Sequence, residues 1–322
     1  MNFPSTYELT ESQKELMATM QNGVEAWLKG DEVATETIED ILDSFPYSIL
    51  PYACRNESFI TSSKLKMYQQ NPFFAKMMYK DLIPSCKEDQ SHFDIGIAVD
   101  RRLTYGENDY AARFIIKNRP TQEMQLMAAE QHKVILTESE GKTVDRCVAE
   151  YLDRPFFIKK PLKTNFLAII DGLPCKAEVD HWGDGECAFE DVKTCANINT
   201  FDPNFYKVQM SFYYLVITRH AEKKLKDTDY EDLKRKLTGS LNVADKNSAF
   251  SRSHKFIYTN ETLQENVPMI MELISKWKDS EESGIWPWKL DFIDPSDLET
   301  FFNSDFYPIC KEQKDNMQPT YL

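Results

Sequence analysis

An α/β fold is what this sequence predicts, and three observations predict it: a run of short apolar strands near residues 165–194, a helix entered directly from them, and capped helical segments before and after. The chain has 322 residues, 42% of them hydrophobic. That is room for one or two domains with a full core, which excludes disordered, collagenous and coiled-coil classes.

Thr10-Glu-Ser-Gln13 reads as a capping box. Leu16, Met17, Met20, Val24, Trp27 and Leu28 then recur at helical spacing up to Gly30. A second helical stretch covers 62–82 through Leu65, Tyr68, Phe73, Met77 and Met78, restarted at Pro72. Thr137-Glu-Ser-Glu140 is another capping box, and Val144, Cys147, Val148 and Tyr151 mark one buried face up to Pro155. From Asn165 the texture changes to NFLAIIDG, CKAEVDHW and ECAFEDVKT, the last two joined by Gly183-Asp184-Gly185, which predicts a continuous β-meander. Asp202-Pro203 supplies an N-cap and a proline at the first helical position, opening a helix with Phe205, Val208, Phe212 and Leu215 along one stripe. A further helix is expected over 261–278, and the tail after Trp286 is rich in Pro and Asp.

The net charge is −14, which argues against non-specific coating of nucleic acid. Ten acids against two bases (Lys14, Lys29) stand in residues 1–50, so most of the excess is confined to that segment. Lys159, Lys160 and Lys163 form a local basic cluster before the first strand. The seven cysteines are scattered with no CxxC pair, which disfavours disulfides and zinc or iron–sulfur sites and suits a reduced, cytoplasmic setting. Neither a membrane span nor a signal peptide is expected from the sequence pattern.

Alternate residues of a strand share a face, so Glu178 and Asp180 project together from one strand, and Asp191 and Lys193 from the next. Strands about 5 Å apart bring two carboxylates to one hard divalent ion, Mg²⁺ or Mn²⁺, with a lysine beside them. Such a lysine orients or deprotonates an attacking water and offsets charge on a pentavalent transition state. Gln209 and Tyr213, four residues apart, share a helical face distinct from the Val208/Phe212/Leu215 stripe. The bland alternatives are solvated acids on a hairpin and an exposed strand lysine. Apolar neighbours Val179, Val192 and Phe189 favour burial, and buried acids need a cation.

Asp180, then Asp191-Val192-Lys193-Thr194, then Gln209-Met-Ser-Phe-Tyr213 resembles the PD-(D/E)XK nuclease superfamily with its QxxxY helix. Within it the likeness is to RecE-type (exonuclease VIII) and lambda-exonuclease-like recombination nucleases of phages and prophages. Ser62-Ser63-Lys64-Leu65 leading to Asn71-Pro72, and Gly96-Ile-Ala-Val-Asp100, are similar to the family's early helix and its G-x-x-x-H/E segment. The resemblance covers roughly residues 60–290. It implies a restriction-endonuclease-like α+β core with a mixed central sheet flanked by helices, spanning 61–322, after an acidic helical extension over 1–60. It further implies metal held by Asp180, Asp191 and the Val192 carbonyl, with Asp100 completing the set. The family has His or Glu where this chain has Asp100, and Glu178 is the alternative ligand. Lys193 is then expected to activate water, with Gln209 and Tyr213 supporting it. Arg101, Arg102, Thr194, Lys159 and Lys160 are the candidate DNA contacts.

The expected activity is that of a Mg²⁺-dependent deoxyribonuclease, a 5′→3′ exonuclease on linear duplex ends that leaves 3′ single strands for a single-strand annealing recombinase. The resemblance also implies a ring-shaped homo-oligomer, in which an acidic exterior and a basic bore coexist. The alternatives are a catalytically silent PD-(D/E)XK domain that binds protein or DNA, and a sequence-specific endonuclease. His181 alternates to the face opposite Asp180 and is expected to be structural.

Overall fold

A computed structural model describes residues 9–31, 33, 34, 36, 38, 56–80, 91–131, 133–152, 163–183, 187–247 and 252–287. In chain order the elements are α1 (Glu11–Leu28), α2 (Ser62–Gln70), α3 (Pro72–Tyr79), α4 (Ser91–Arg113), β1 (Phe114–Ile116), α5 (Gln122–Glu130), β2 (Val134–Leu136) and α6 (Glu138–Leu152). They continue as β3 (Thr164–Ile170), β4 (Leu173–Val179), β5 (His181–Gly183), β6 (Ala188–Cys195), α7 (Lys207–Lys224), α8 (Asp227–Lys236), β7 (Thr238–Asp245), β8 (Ser253–Tyr258), α9 (Asn260–Glu265) and α10 (Val267–Ser283). The chain divides into two units: Met1–Glu88 with Ile169–Cys175 and Met271–Leu322, and Asp89–Ala168 with Lys176–Ile270.

In the first unit, α1 opens on the Thr10 capping box and buries Met20, Val24 and Trp27 of the expected stripe. Asn71 Oδ1 accepts the N–H groups of Phe73 and Phe74, so α3 begins afresh at Pro72, where a missing N–H costs nothing. Trp277 is fully buried, with the rings of Tyr68 and Trp286 at centroid distances of 5.4 and 5.1 Å. Lys64 is buried beside it. Its Nζ donates to the Glu57 carbonyl at 2.7 Å and lies 5.4 and 5.6 Å from the ring centroids of Tyr79 and Trp277. Burial, reinforced by the charge of Lys80, pulls its pKa down from 10.5 to about 7.

That burial has a measurable cost. Between those two values the unfolded chain binds the extra proton, so stability rises with pH across the interval, and below 7 the penalty is at full size. Lys64→Met is therefore expected to raise stability at pH 7 by about 2 kcal/mol. The gain shrinks by pH 9.5, where the wild-type amine is neutral. Urea unfolding of both proteins at the two pH values checks this, and a gain that does not change with pH would refute the cause.

In the second unit, β5-β6-β7-β8 form a mixed sheet, with β6 and β7 parallel and the outer pairs antiparallel. The register Asp191↔Leu241↔Phe256 and Lys193↔Val243↔His254 puts these six side chains on one face. The opposite face carries Val192 and Ala244, which join Ile95, Ala98 and Val99 of α4 and Val144, Cys147 and Tyr151 of α6 in one core cluster. Gly96 lets α4 come close to β6, since a Cβ there would lie 3.3 Å from Thr194 Oγ1. α4 is kinked at Gly106, whose φ of 82° favours glycine. β1 and β2 add a short parallel pair.

Several elements differ from expectation. The strands around 165–195 are not one meander. β3 and β4 pair through the Asp171–Gly172 turn, but at Asp180 the chain bends, and only the three residues of β5 pair with β6. The helix expected from Asp202-Pro203 begins as a 3-10 turn, Pro203–Tyr206, before α7, and Phe205 is 55% exposed instead of packed on the stripe. α7 is buried nearly all round, with Met210, Ser211, Tyr214, Val216 and Ile217 inside as well as the stripe. The helix expected over 261–278 is two helices, α9 and α10, separated at Asn266. Among the described residues, no helix is long and apolar enough to cross a membrane.

Candidate active site

The bend at Asp180 makes the site. His181 pairs with Glu190, and the next two pairs of an unbroken ladder would be Asp180 with Asp191 and Val179 with Val192. Instead β4 diverges, and the Asp180 side chain takes the place of a strand neighbour: its Oδ2 accepts the Val192 N–H at 2.8 Å. In an extended strand a residue's N–H and C=O project to the same edge. The Val192 carbonyl is thereby aimed along the edge that Asp180 occupies.

Beyond the break, Asp191 is 2% exposed. Its Oδ2 lies 2.5 Å from Lys193 Nζ, and its Oδ1 accepts Gln209 Nε2 at 2.8 Å. The same Gln209 amide reaches the Tyr213 hydroxyl at 2.9 Å, so the helix pair expected from its four-residue spacing meets the strand pair directly. Lys193 Nζ also lies 5.8 Å from the centroid of the Tyr206 ring, a neighbour the sequence pattern did not identify.

A second lysine completes the cluster. Lys163 Nζ is 3.1 Å from Asp100 Oδ2, 3.4 Å from Glu178 Oε1 and 3.5 Å from Asp180 Oδ1. Lys176 Nζ lies 3.8 Å from the other oxygen of Glu178. The structure thus brings Asp100, Glu178, Asp180, Asp191, Val192, Lys193, Gln209 and Tyr213 into one place. Among the described residues no three His, Cys, Asp or Glu side chains converge as a ready-made metal cage. The acids of this site are spread around ammonium groups instead.

The field of the cluster separates the two aspartates. Burial pushes the Asp191 carboxyl up to about 6, with Asp180 adding to the rise against the opposing pull of Lys193. Burial acts the same way on Asp180, but Lys163, Lys193 and the Val192 N–H outweigh it and hold that carboxyl below the usual range. Burial would lower Lys193, yet Asp191 and Asp180 more than offset it, so its pKa stands above the ordinary lysine value. Lys163 is raised in the same way, its burial outweighed by Asp100 and Asp180.

Arg101 is held by Asp109 at 2.8 Å and stands over the Tyr105 ring. Arg102 pairs with Glu107 and Asp145. Thr194 faces α4 at Gly96. Lys159 and Lys160 lie outside the described residues. His181 is fully buried, with Nδ1 3.8 Å from Glu190 Oε2, on the sheet face opposite Asp191. Lys163 was visible in the sequence only as one of three lysines before a strand.

Gln209 is the simplest probe of the support. Gln209→Ala deprives Asp191 Oδ1 of its donor and is expected to cut the turnover of the site by about 10- to 100-fold with KM little changed. Steady-state kinetics of the variant check this, and an effect on KM alone would assign Gln209 to substrate contact.

No protein-family profile matches the sequence, and no curated protein is similar to it. The fold is similar to that of the crystal structure of a candidate exonuclease from Eubacterium rectale. The TM-score is 0.55, with 14% identity over 76% of this chain and 88% of that one. The likeness is one of fold. With the mixed sheet and its flanking helices, it places the chain in the α/β class expected.

Proposed function

We propose that this chain is a divalent-metal-dependent deoxyribonuclease that degrades linear duplex DNA from its ends, in the 5′→3′ direction, leaving 3′ single strands for a single-strand annealing recombinase. The observation that carries the reading is the meeting of Asp180, the Asp191/Lys193 pair and the Gln209/Tyr213 pair at the open edge of β6. The fold likeness to a candidate exonuclease supports it. Direction, end preference, a ring-shaped oligomer, cytoplasmic location and the recombinase partner rest on the family resemblance.

The donor set fits a hard cation. Asp180, Asp191 and the Val192 carbonyl would hold it, with Asp100 or Glu178 completing the set, all oxygen donors of the kind Mg²⁺ and Mn²⁺ take. Such an ion supplies Lewis-acid polarisation of the scissile phosphodiester and neutralises its charge.

The chain's own residues do the rest. Lys193, charged at neutral pH because Asp191 and Asp180 stabilise its ammonium against burial, donates to the attacking water and offsets charge on the pentavalent transition state. It orients the water; a group held in its charged form is not the proton acceptor. Gln209 fixes the Asp191 carboxylate, and Tyr213 fixes Gln209.

Time-resolved digestion of linear and covalently closed plasmid, with Mg²⁺ or EDTA, tests the reading. Loss of the linear form alone, only with metal, is expected. Cutting of closed circles into discrete fragments would point to a sequence-specific endonuclease, and no loss of either form to a binding domain.

A further inference from the structure

Lys163 stands at the start of β3, and 10% of its side chain is exposed. Three carboxylates from three separate elements converge on its Nζ at 3.1 to 3.5 Å: Asp100 from α4, Glu178 from β4 and Asp180 from the bend after β4. Acids gathered this way repel one another and lose hydration, so a cation among them is what keeps the nest folded. Two of the same acids, Asp100 and Asp180, belong to the donor set proposed above for the divalent ion, and Glu178 is the alternative to Asp100. Oxygen-to-metal distances for Mg²⁺ are about 2.1 Å, shorter than those around the ammonium, so these oxygens would have to close in to hold the ion. Two cations cannot share that position, since at contact distance their repulsion in a partly buried site is severe.

We propose that Lys163 is a built-in counter-ion that holds the cation position in the metal-free protein and competes with a divalent ion for Asp100, Glu178 and Asp180. It thereby sets the metal concentration at which the site loads. The inference rests on the nuclease reading of the site and adds to it a positioning residue that controls loading. An acid nest prefilled by its own ammonium folds without metal and yields its position only when the ion concentration is sufficient. Without Lys163, metal binding and folding would become linked, because the ion would then be the counter-charge the nest lacks.

The test is Mn²⁺ binding, not activity. Titration calorimetry with Mn²⁺ alone is carried out on wild type, Lys163→Met and Asp191→Asn. The Met variant is expected to bind Mn²⁺ about tenfold or more tightly than wild type. Its unfolding temperature in EDTA is expected to fall below that of wild type, with a larger rise on adding Mn²⁺. Equal or weaker binding by Lys163→Met would overturn the inference and leave the nuclease reading standing. Absence of any binding that Asp191→Asn removes, in wild type and Lys163→Met alike, would overturn both.

A measurement on the wild-type chain covers the case in which the variant does not fold. Acetylation of lysines, mapped by mass spectrometry with and without saturating Ca²⁺, should show Lys163 becoming several-fold more reactive when the ion is bound. Unchanged reactivity on Ca²⁺ binding would overturn the inference.

Discussion

On the proposed reading, Lys193→Met is expected to slow hydrolysis of linear duplex DNA by about 10³-fold or more, on the scale set by losing a preorganised hydrogen-bond donor together with its charge. The side chain lies between Asp191 at 2.5 Å and the Tyr206 ring, whereas the second ammonium of the cluster, on Lys163, is held by Asp100, Glu178 and Asp180. Because the proposed role of Lys193 is electrostatic and orienting, Lys193→Arg should recover part of the rate, whereas a lysine acting as a base would gain nothing from arginine. Single-turnover rates with Mg²⁺ for the three proteins decide between these. Equal rates for the Met variant and wild type would remove Lys193 from the chemistry altogether.

Asp191→Asn should be as severe in activity and also change the response to pH. Burial holds the Asp191 carboxyl near 6, and a protonated carboxyl cannot serve a metal. In the wild type, Mn²⁺ affinity is therefore expected to be full above about pH 7 and to fall about tenfold for each pH unit below 6, as proton and metal compete for one group. Asn cannot ionise, so the variant should bind weakly at every pH with no inflection near 6. Calorimetry between pH 5 and 8 measures this. An inflection persisting in the Asn variant would assign the titration to a different group, and the same affinity at both ends in wild type would refute the role of Asp191.

The grouping of these side chains was readable because it is carried by short-range patterns. Strand alternation pairs Asp191 with Lys193, and helical spacing pairs Gln209 with Tyr213, so local periodicity alone presents the groups that the fold then joins. What escaped depends on longer range. β7 is buried on both faces yet includes Ser240, Asn242 and Asp245, so neither alternation nor an apolar run announces it, although it is the parallel partner that holds β6 in place. α4 carries Gly96 and Gly106, which weaken any helical reading, and the reasons for them, a close approach to Thr194 and a kink, exist only in the folded chain. Lys163 looks like any lysine before a strand, because the three acids it meets come from distant positions. The meander was over-read for a related cause: three apolar runs in succession predict neighbours, and nothing local marks Asp180 as the residue where pairing stops.

That stop has a consequence for solubility. Among the described residues, β6 continues beyond Glu190 without a strand partner on the side where β5 ends. A bare strand edge is an invitation to intermolecular pairing, and proteins blunt such edges with inward-pointing charge. Here the guard is the proposed catalytic cluster: Asp180 caps the Val192 N–H, and Lys193 and Asp191 crowd the edge with charge. The residues proposed to cut DNA therefore also keep one molecule from adding its strands to the next, so neutralising them places colloidal stability at risk along with activity.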